Sequence, residues 1–207
     1  MGTRGLTVVI MNEQHRVAQY GQWDHYPEGQ GVKVLEFCRK NLSTIKGRKK
    51  FKAMVAKTHF IDDAELAQLW AKIGADTKSG FVTLAKSEEF SKKYPSLHRN
   101  TGAEILTLVL SGETRLQDSM EFINESLMCE WAYMINLDTG KLEVYKGFQD
   151  KPHQKGRYCG YVPEESSYSG DKYYAGALVA EFALNRLPTA GKFVAKLVPV
   201  KENHDGK

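Results

Sequence analysis

Residues 20–31, YGQWDHYPEGQG, gather a Trp, two Tyr, an Asp, a His, a Glu, two Gln and three Gly into one short stretch. Trp23 and Tyr26 offer flat faces on which a planar ring can stack. Gln22, Asp24 and His25 offer donors and acceptors for the polar edge of such a ring. Asp24 and His25 are also competent as acid and base, since histidine titrates near neutral pH. Neighbours in an extended segment point opposite ways, so the two need not share one pocket. Gly29-Gln30-Gly31 stands where a helix should begin. N–H groups at a helix start, beside glycines that let a ligand approach, favour phosphate or carboxylate. A bare Gly-x-Gly is short of the dinucleotide fingerprint.

The flanking elements position this loop. LTVVIM, residues 6–11, is β-branched and apolar and reads as a buried strand. NEQH turns the chain, and RVAQY reads as a second, antiparallel strand. In GVKVLEFCRKNL, Val34, Leu35, Cys38 and Leu42 fall at helical spacing. The loop therefore joins a hairpin to a helix. In a hairpin the start of the first strand lies beside the end of the second, which puts Thr3 and Arg4 near Tyr20–Trp23. Arg4 could grip an anion bidentately; a salt bridge to Asp24 that braces the loop is the competing reading. Two further edges stand apart in sequence. HRNTGAE, residues 98–104, enters a helix through Thr-Gly with His98 and Arg99 just ahead, and Glu130 is polar at the start of a strand rich in aromatics. The candidate ligand-binding set is Arg4, Tyr20, Gln22, Trp23, Asp24, Tyr26, Gly29, Gln30, Gly31, Arg99 and Glu130. The catalytic candidates are Thr3, Asp24 and His25.

Elsewhere Ser43 is expected to cap a basic helix with Phe51, Met54 and Val55 on its apolar side. DDAELAQLWAKIGAD is the clearest helix, with Asp62 and Glu65 at capping-box spacing and Leu66, Leu69, Trp70 and Ile73 on one face. Residues 76–100 read as loop that can hold a short helix. Thr101 is expected to cap GAEILTLVL, which Gly112 ends. CEWAYMINLDTGKLEVYKGF is a hairpin around DTGK. Residues 151–172 are rich in Gly, Ser and Tyr and long enough to form a flap. ALVAEFAL reads as a strand and TAGKFVAKLV as a last helix. The fold class is α+β: one domain over 1–207, antiparallel sheet from N- and C-terminal hairpins, and helices packed on it.

The chain has 207 residues, 42% of them hydrophobic and 26% charged, which suits a globular domain with a real core. No apolar run approaches the roughly 20 residues that span a bilayer. The opening MGTRGLTVVI lacks a signal-peptide layout, and Leu6 stands where myristoylation needs Ser or Thr. The expected compartment is the cytoplasm. Cys38, Cys129 and Cys159 form no CxxC or Cys/His cluster, so neither a metal nor a cofactor is expected. Net charge is only +4, yet Arg39–Lys57 holds eight Lys or Arg and no acid. No nucleic-acid signature accompanies this block, so nucleic acid is not expected as a partner.

GTRGLTVVI, AQYGQWDHYPEGQG and CEWAYMINLDTGKLEVYKGF together resemble an uncharacterised family of phage and bacterial proteins. These open Gly-Thr-Arg-Gly and carry a Trp/Phe-Asp-x-Tyr-Pro-x-Gly loop. The resemblance implies an origin in a bacterial host's cytoplasm and no particular reaction. More distantly, Thr3 ahead of a strand and hairpin is similar in layout to the N-terminal nucleophile hydrolases, which implies an αββα sandwich. That chemistry needs a free α-amine on the nucleophile itself, and Gly2 precedes Thr3. Three functions follow as expectations. The first is a module binding a small anionic, nucleotide-derived ligand, in a phage setting a sequestered defence signal. The second is a hydrolase acting on an amide or nucleotide-like substrate. The third is an inhibitor of a host protein, using segment 39–57 and the Tyr-rich loop 158–174. A homo-oligomer is compatible with each.

Overall fold

Gly5–Met11 carries no charge, and every one of its seven residues is buried, as a strand covered on both faces requires. In chain order the elements are β1 (Gly5–Met11), β2 (Gln14–Gly21), α1 (Val32–Asn41), α2 (Ile45–Val55), β3 (His59–Phe60), α3 (Asp63–Ala71), α4 (Leu84–Lys93), α5 (Ile105–Leu110), β4 (Arg115–Leu116), β5 (Trp131–Asn136), β6 (Lys141–Lys146), β7 (Ala177–Ala183) and α6 (Ala190–Leu197). This computed structural model describes residues 2–75, 82–163 and 172–199.

Five strands form one sheet in the order β2-β1-β5-β6-β7. The expected hairpins β1–β2 and β5–β6 are antiparallel, as is β6–β7. The two hairpins meet through a parallel β1–β5 pair, so the sheet is mixed rather than antiparallel throughout. The reason lies in the connection. A parallel pair needs a long crossover, and the helices between β2 and β5 supply it. The first hairpin turns at Asn12-Glu13, whose φ values of 55° and 63° belong to a type I′ turn. Both turn N–H groups donate to the Asp138 carboxylate, at 3.0 and 2.9 Å. These bonds, that of Glu13 foremost, hold the Asp138 carboxyl below the usual range. The two hairpin turns are thereby tied together.

Alternation along β1 divides the core. Val9 and Met11, with Val17, Tyr133, Ile135 and Val144, face Val34, Leu35, Cys38, Phe51, Leu106 and Phe193 of the helices. Leu6, Val8 and Ile10, with Ala132, Met134, Tyr145 and the partly buried Leu178, face Ile123, Cys129 and the partly buried Phe122 and Tyr158. A third cluster, Leu69, Ile73, Phe90, Tyr94 and Leu97, joins α3 to α4. Helices thus cover one face of a single five-stranded sheet. The two stacked sheets of an αββα sandwich are not present among the described residues, where only the short β3–β4 ribbon accompanies the main sheet.

Asp62 caps α3 by accepting from the Glu65 N–H at 2.7 Å. Two other caps differ from expectation. Thr44, not Ser43, caps α2, its Oγ1 accepting from the Gly47 N–H at 3.1 Å. Thr101 has helical dihedrals, and its hydroxyl donates to the Pro95 carbonyl instead of capping. The short helix allowed for in residues 76–100 is α4, ten residues long; Phe90 is its one buried residue, so its sequence carries no apolar stripe. Among the described residues no helix is long and apolar enough to cross a membrane.

Candidate functional site

Loop 22–31 sits at the end of the sheet where β1 begins and β2 ends. Gly5 and Gly21 are direct partners there. The His25 ring fills the space that their missing side chains leave. A Cβ on Gly21 would come within 1.8 Å of His25 Cε1, and one on Gly5 within 2.7 Å of Cδ2. His25 is completely buried, and neither ring nitrogen has a hydrogen-bond partner. Burial pushes the imidazole down to about 4; the Trp23 backbone pulls the other way, and Lys33 nearby adds a smaller push down. The ring is therefore neutral at pH 7.

Backbone bonds complete the anchorage. The His25 N–H donates to the Thr3 carbonyl at 3.0 Å and the Gln30 N–H to the Asp24 carbonyl at 2.7 Å. The Tyr133 hydroxyl donates to the His25 carbonyl at 2.8 Å. Asp24 takes φ 61°, which brings its carbonyl so near Gly29 that a Cβ there would lie 2.2 Å away. The segment 98–104 converges on the same loop. The Gln22 N–H donates to the Arg99 carbonyl at 3.2 Å, and the Arg99 guanidinium donates to Gln22 Oε1. The Ala103 N–H donates to the buried Gln30 Oε1 at 3.0 Å.

Several expected roles change. The N–H groups of Gly29 and Gly31 donate to the Tyr26 carbonyl, at 3.0 and 3.4 Å. With Gln30 bonded to Asp24, all three amides are consumed within the turn, and this helix start offers no anion site. Arg4 forms no salt bridge with Asp24; its guanidinium donates to Met128 Sδ at 2.8 Å, in the segment that covers the other face. Glu130 meets Arg4 only through the backbone, its N–H donating to the Arg4 carbonyl at 3.0 Å. Tyr20 also belongs to the other face, edge-on to Phe122 at 5.0 Å, although its hydroxyl reaches Gln22 Oε1 at 2.7 Å. Asp24 is exposed and His25 is buried, so they form no acid–base pair. The Thr3 nitrogen is a peptide nitrogen, and Gly2 before it lies against the Trp23 ring.

What remains on the outside of the loop is Trp23 and Tyr26, 51% and 40% exposed, with Asp24, Gln22 and Arg99 beside them in the chain or by hydrogen bond. Three surface grooves, of about 340, 440 and 300 Å³, lie elsewhere, and Tyr20 alone of the candidates lines one. The loop thus presents two half-exposed aromatic rings at the surface. The described part of the late loop lies against the opposite face. There the Arg157 Nε and Nη2 donate to the two carboxylate oxygens of Glu143, both at 3.1 Å. Glu143 also accepts from Asn136 at 2.8 Å and from Tyr145 at 2.9 Å. Burial raises its carboxyl, but Arg157, Asn136 and Tyr145 together outweigh it and hold the pKa below the usual value. Residues 164–171 of the proposed flap lie outside the described residues.

Gly5, Gly21 and Tyr133 shape the site although sequence patterns do not single them out; only a register linking the two glycines could have done so. Among the described residues no group of His, Cys, Asp or Glu is arranged to hold a metal. No family model, no curated protein and no solved structure matches the chain.

Proposed function

We propose that the chain is a binding module whose loop 22–31 captures a small anionic, ring-bearing ligand of the nucleotide type. The observation that carries this reading is the contrast between His25, wholly buried, and Trp23 and Tyr26, left 51% and 40% exposed on the same short loop. A backbone anchored in this way has little ordering left to lose when a ligand arrives. Trp23 and Tyr26 supply stacking faces, and Gln22 and Asp24 supply partners for a polar edge. Arg99, exposed and bonded to Gln22 without a carboxylate partner among the described residues, supplies positive charge for a phosphate. Turnover has no place in this reading, because a completely buried imidazole reaches no substrate. The resemblance of the opening and the loop to phage proteins favours sequestration of a nucleotide-derived defence signal in a bacterial host.

The test is a thermal-shift panel of mononucleotides, cyclic dinucleotides and ADP-ribose, with Trp23→Ala and Arg99→Ala alongside. A ligand at 100 times its Kd adds about 2.7 kcal/mol, or about 5–10 °C for a chain of this size. A shift lost in both variants, with their ligand-free unfolding unchanged, supports the reading. No shift from any compound overturns it, and consumption of the bound compound would replace it with the hydrolase.

A further inference from the structure

The basic block divides into two parts in the folded chain. Arg39 pairs with Glu36 at 2.9 Å, and Arg48 donates to the Leu42 and Ser43 carbonyls at 2.8 and 3.3 Å, closing the C-terminal end of α1. These two arginines serve the fold. Lys40, Lys46 and Lys50, together with Lys33 of α1, do not. All four are exposed, and among the described residues no carboxylate pairs with any of them. They line two grooves of about 440 and 300 Å³. The grooves share Lys40, Asn41 and Leu110, so they form one trough along α1 and α5 that runs on past the head of α2. Its floor is apolar, built from Phe37, Ala103 and Leu110. Lys33, Phe37 and Lys40 recur at helical spacing and follow α1 for about 10 Å at 1.5 Å per residue.

We propose that this trough is the docking surface for an acidic, amphipathic helix of a partner protein. An apolar stripe at i, i+3/4 and i+7 rests on Phe37, Ala103 and Leu110, and Asp or Glu on its flanks meet the four lysines. Charge complementarity selects the partner: Glu36, neutralised by Arg39, and Glu104 also line the larger groove, yet the four lysines leave the rim net positive, so it attracts an acidic segment and repels a basic one. The apolar floor favours a protein helix over nucleic acid, since a phosphate backbone gains nothing from Phe37 or Leu110. No residue of loop 22–31 lines the trough, although Ala103 on its floor donates to Gln30 of that loop, so the two surfaces adjoin without sharing a contact residue.

The experiment uses the full chain, amide chemical shifts in NMR and three probes. These are an 18-residue helical peptide of Glu and Leu with leucine on one face, a scrambled peptide of the same composition, and a single-stranded DNA 12-mer. The amphipathic peptide is expected to shift amides of α1, α2 and α5 saturably, with affinity falling as salt is added. Lys40→Glu/Lys50→Glu should weaken it about tenfold, leaving thermal unfolding and any nucleotide response of Trp23 unchanged. Absence of saturable binding, equal binding of the scrambled peptide, or tighter binding of the DNA would overturn the proposal.

Discussion

His25 is a wedge rather than a base. Adjacent to Asp24 in sequence, it invites an acid–base reading, yet its ring is wholly shut off from water. Burial holds it down to about 4, against 6.5 for an unperturbed histidine. Between those values the unfolded chain binds a proton that the folded chain refuses. Stability from this group is therefore complete above pH 6.5 and lost as the pH falls through the window to 4, by about 3 kcal/mol. Asp138 and Glu143, whose carboxyls are held low, weaken the fold at more acid pH still. Thermal unfolding from pH 7.5 to 4.5 separates the contributions. The wild-type Tm should fall by several degrees that His25→Phe does not lose, and parallel profiles would show that the imidazole takes up its proton in the fold as readily as in the unfolded chain, and so is not buried in solution.

At the scale of elements, the loop and the hairpin form one device, because two strand ends without side chains receive a ring from the loop that follows them. Gly21→Ala would set a methyl 1.8 Å from His25 Cε1, with an expected cost of about 3 kcal/mol. Gly21→Ala combined with His25→Ala should cost less than the two single changes added, with a coupling of about 1–2 kcal/mol. Urea unfolding of the four proteins measures this, and strict additivity would mean that the ring and the glycine do not share the space. Much of what surrounds this device is legible in the sequence because it is local. The hairpin turn at DTGK, the Val34–Leu42 stripe and the Asp62 cap each depend on residues a few positions apart. What sequence patterns do not disclose is set across the fold. The turn consumes the amides of Gly29–Gly31, Met128 captures Arg4, and β1 accepts β5 in parallel because an intervening run of helices carries the chain back. Helix α4 is legible only as a short helix without bounds, since one buried phenylalanine makes no periodic signal.

Across the whole molecule, two ties join distant parts: Asp138 holds the first hairpin turn, and Arg157 straps the late loop to β6. Glu143 is 4% exposed and the Arg157 side chain 37% exposed. Arg157→Ala should therefore cost about 2 kcal/mol, below the range for a fully buried pair because solvent screens one partner. It should also free the strap, so that trypsin cuts sooner at Lys151 and Lys155. An unchanged cleavage pattern would assign the strap's hold to the packing of Tyr158 and Leu178 alone. The parallel seam between β1 and β5 has a further consequence, in time rather than space. Gly5 pairs with Trp131, so during synthesis β1 emerges about 120 residues before its neighbour. At about 5–20 residues per second that is an interval of about 6–24 seconds. Throughout it, a strand whose seven residues are all buried in the fold has β2 on one side and nothing on the other. The first hairpin is accordingly the segment whose open edge waits longest for its neighbour.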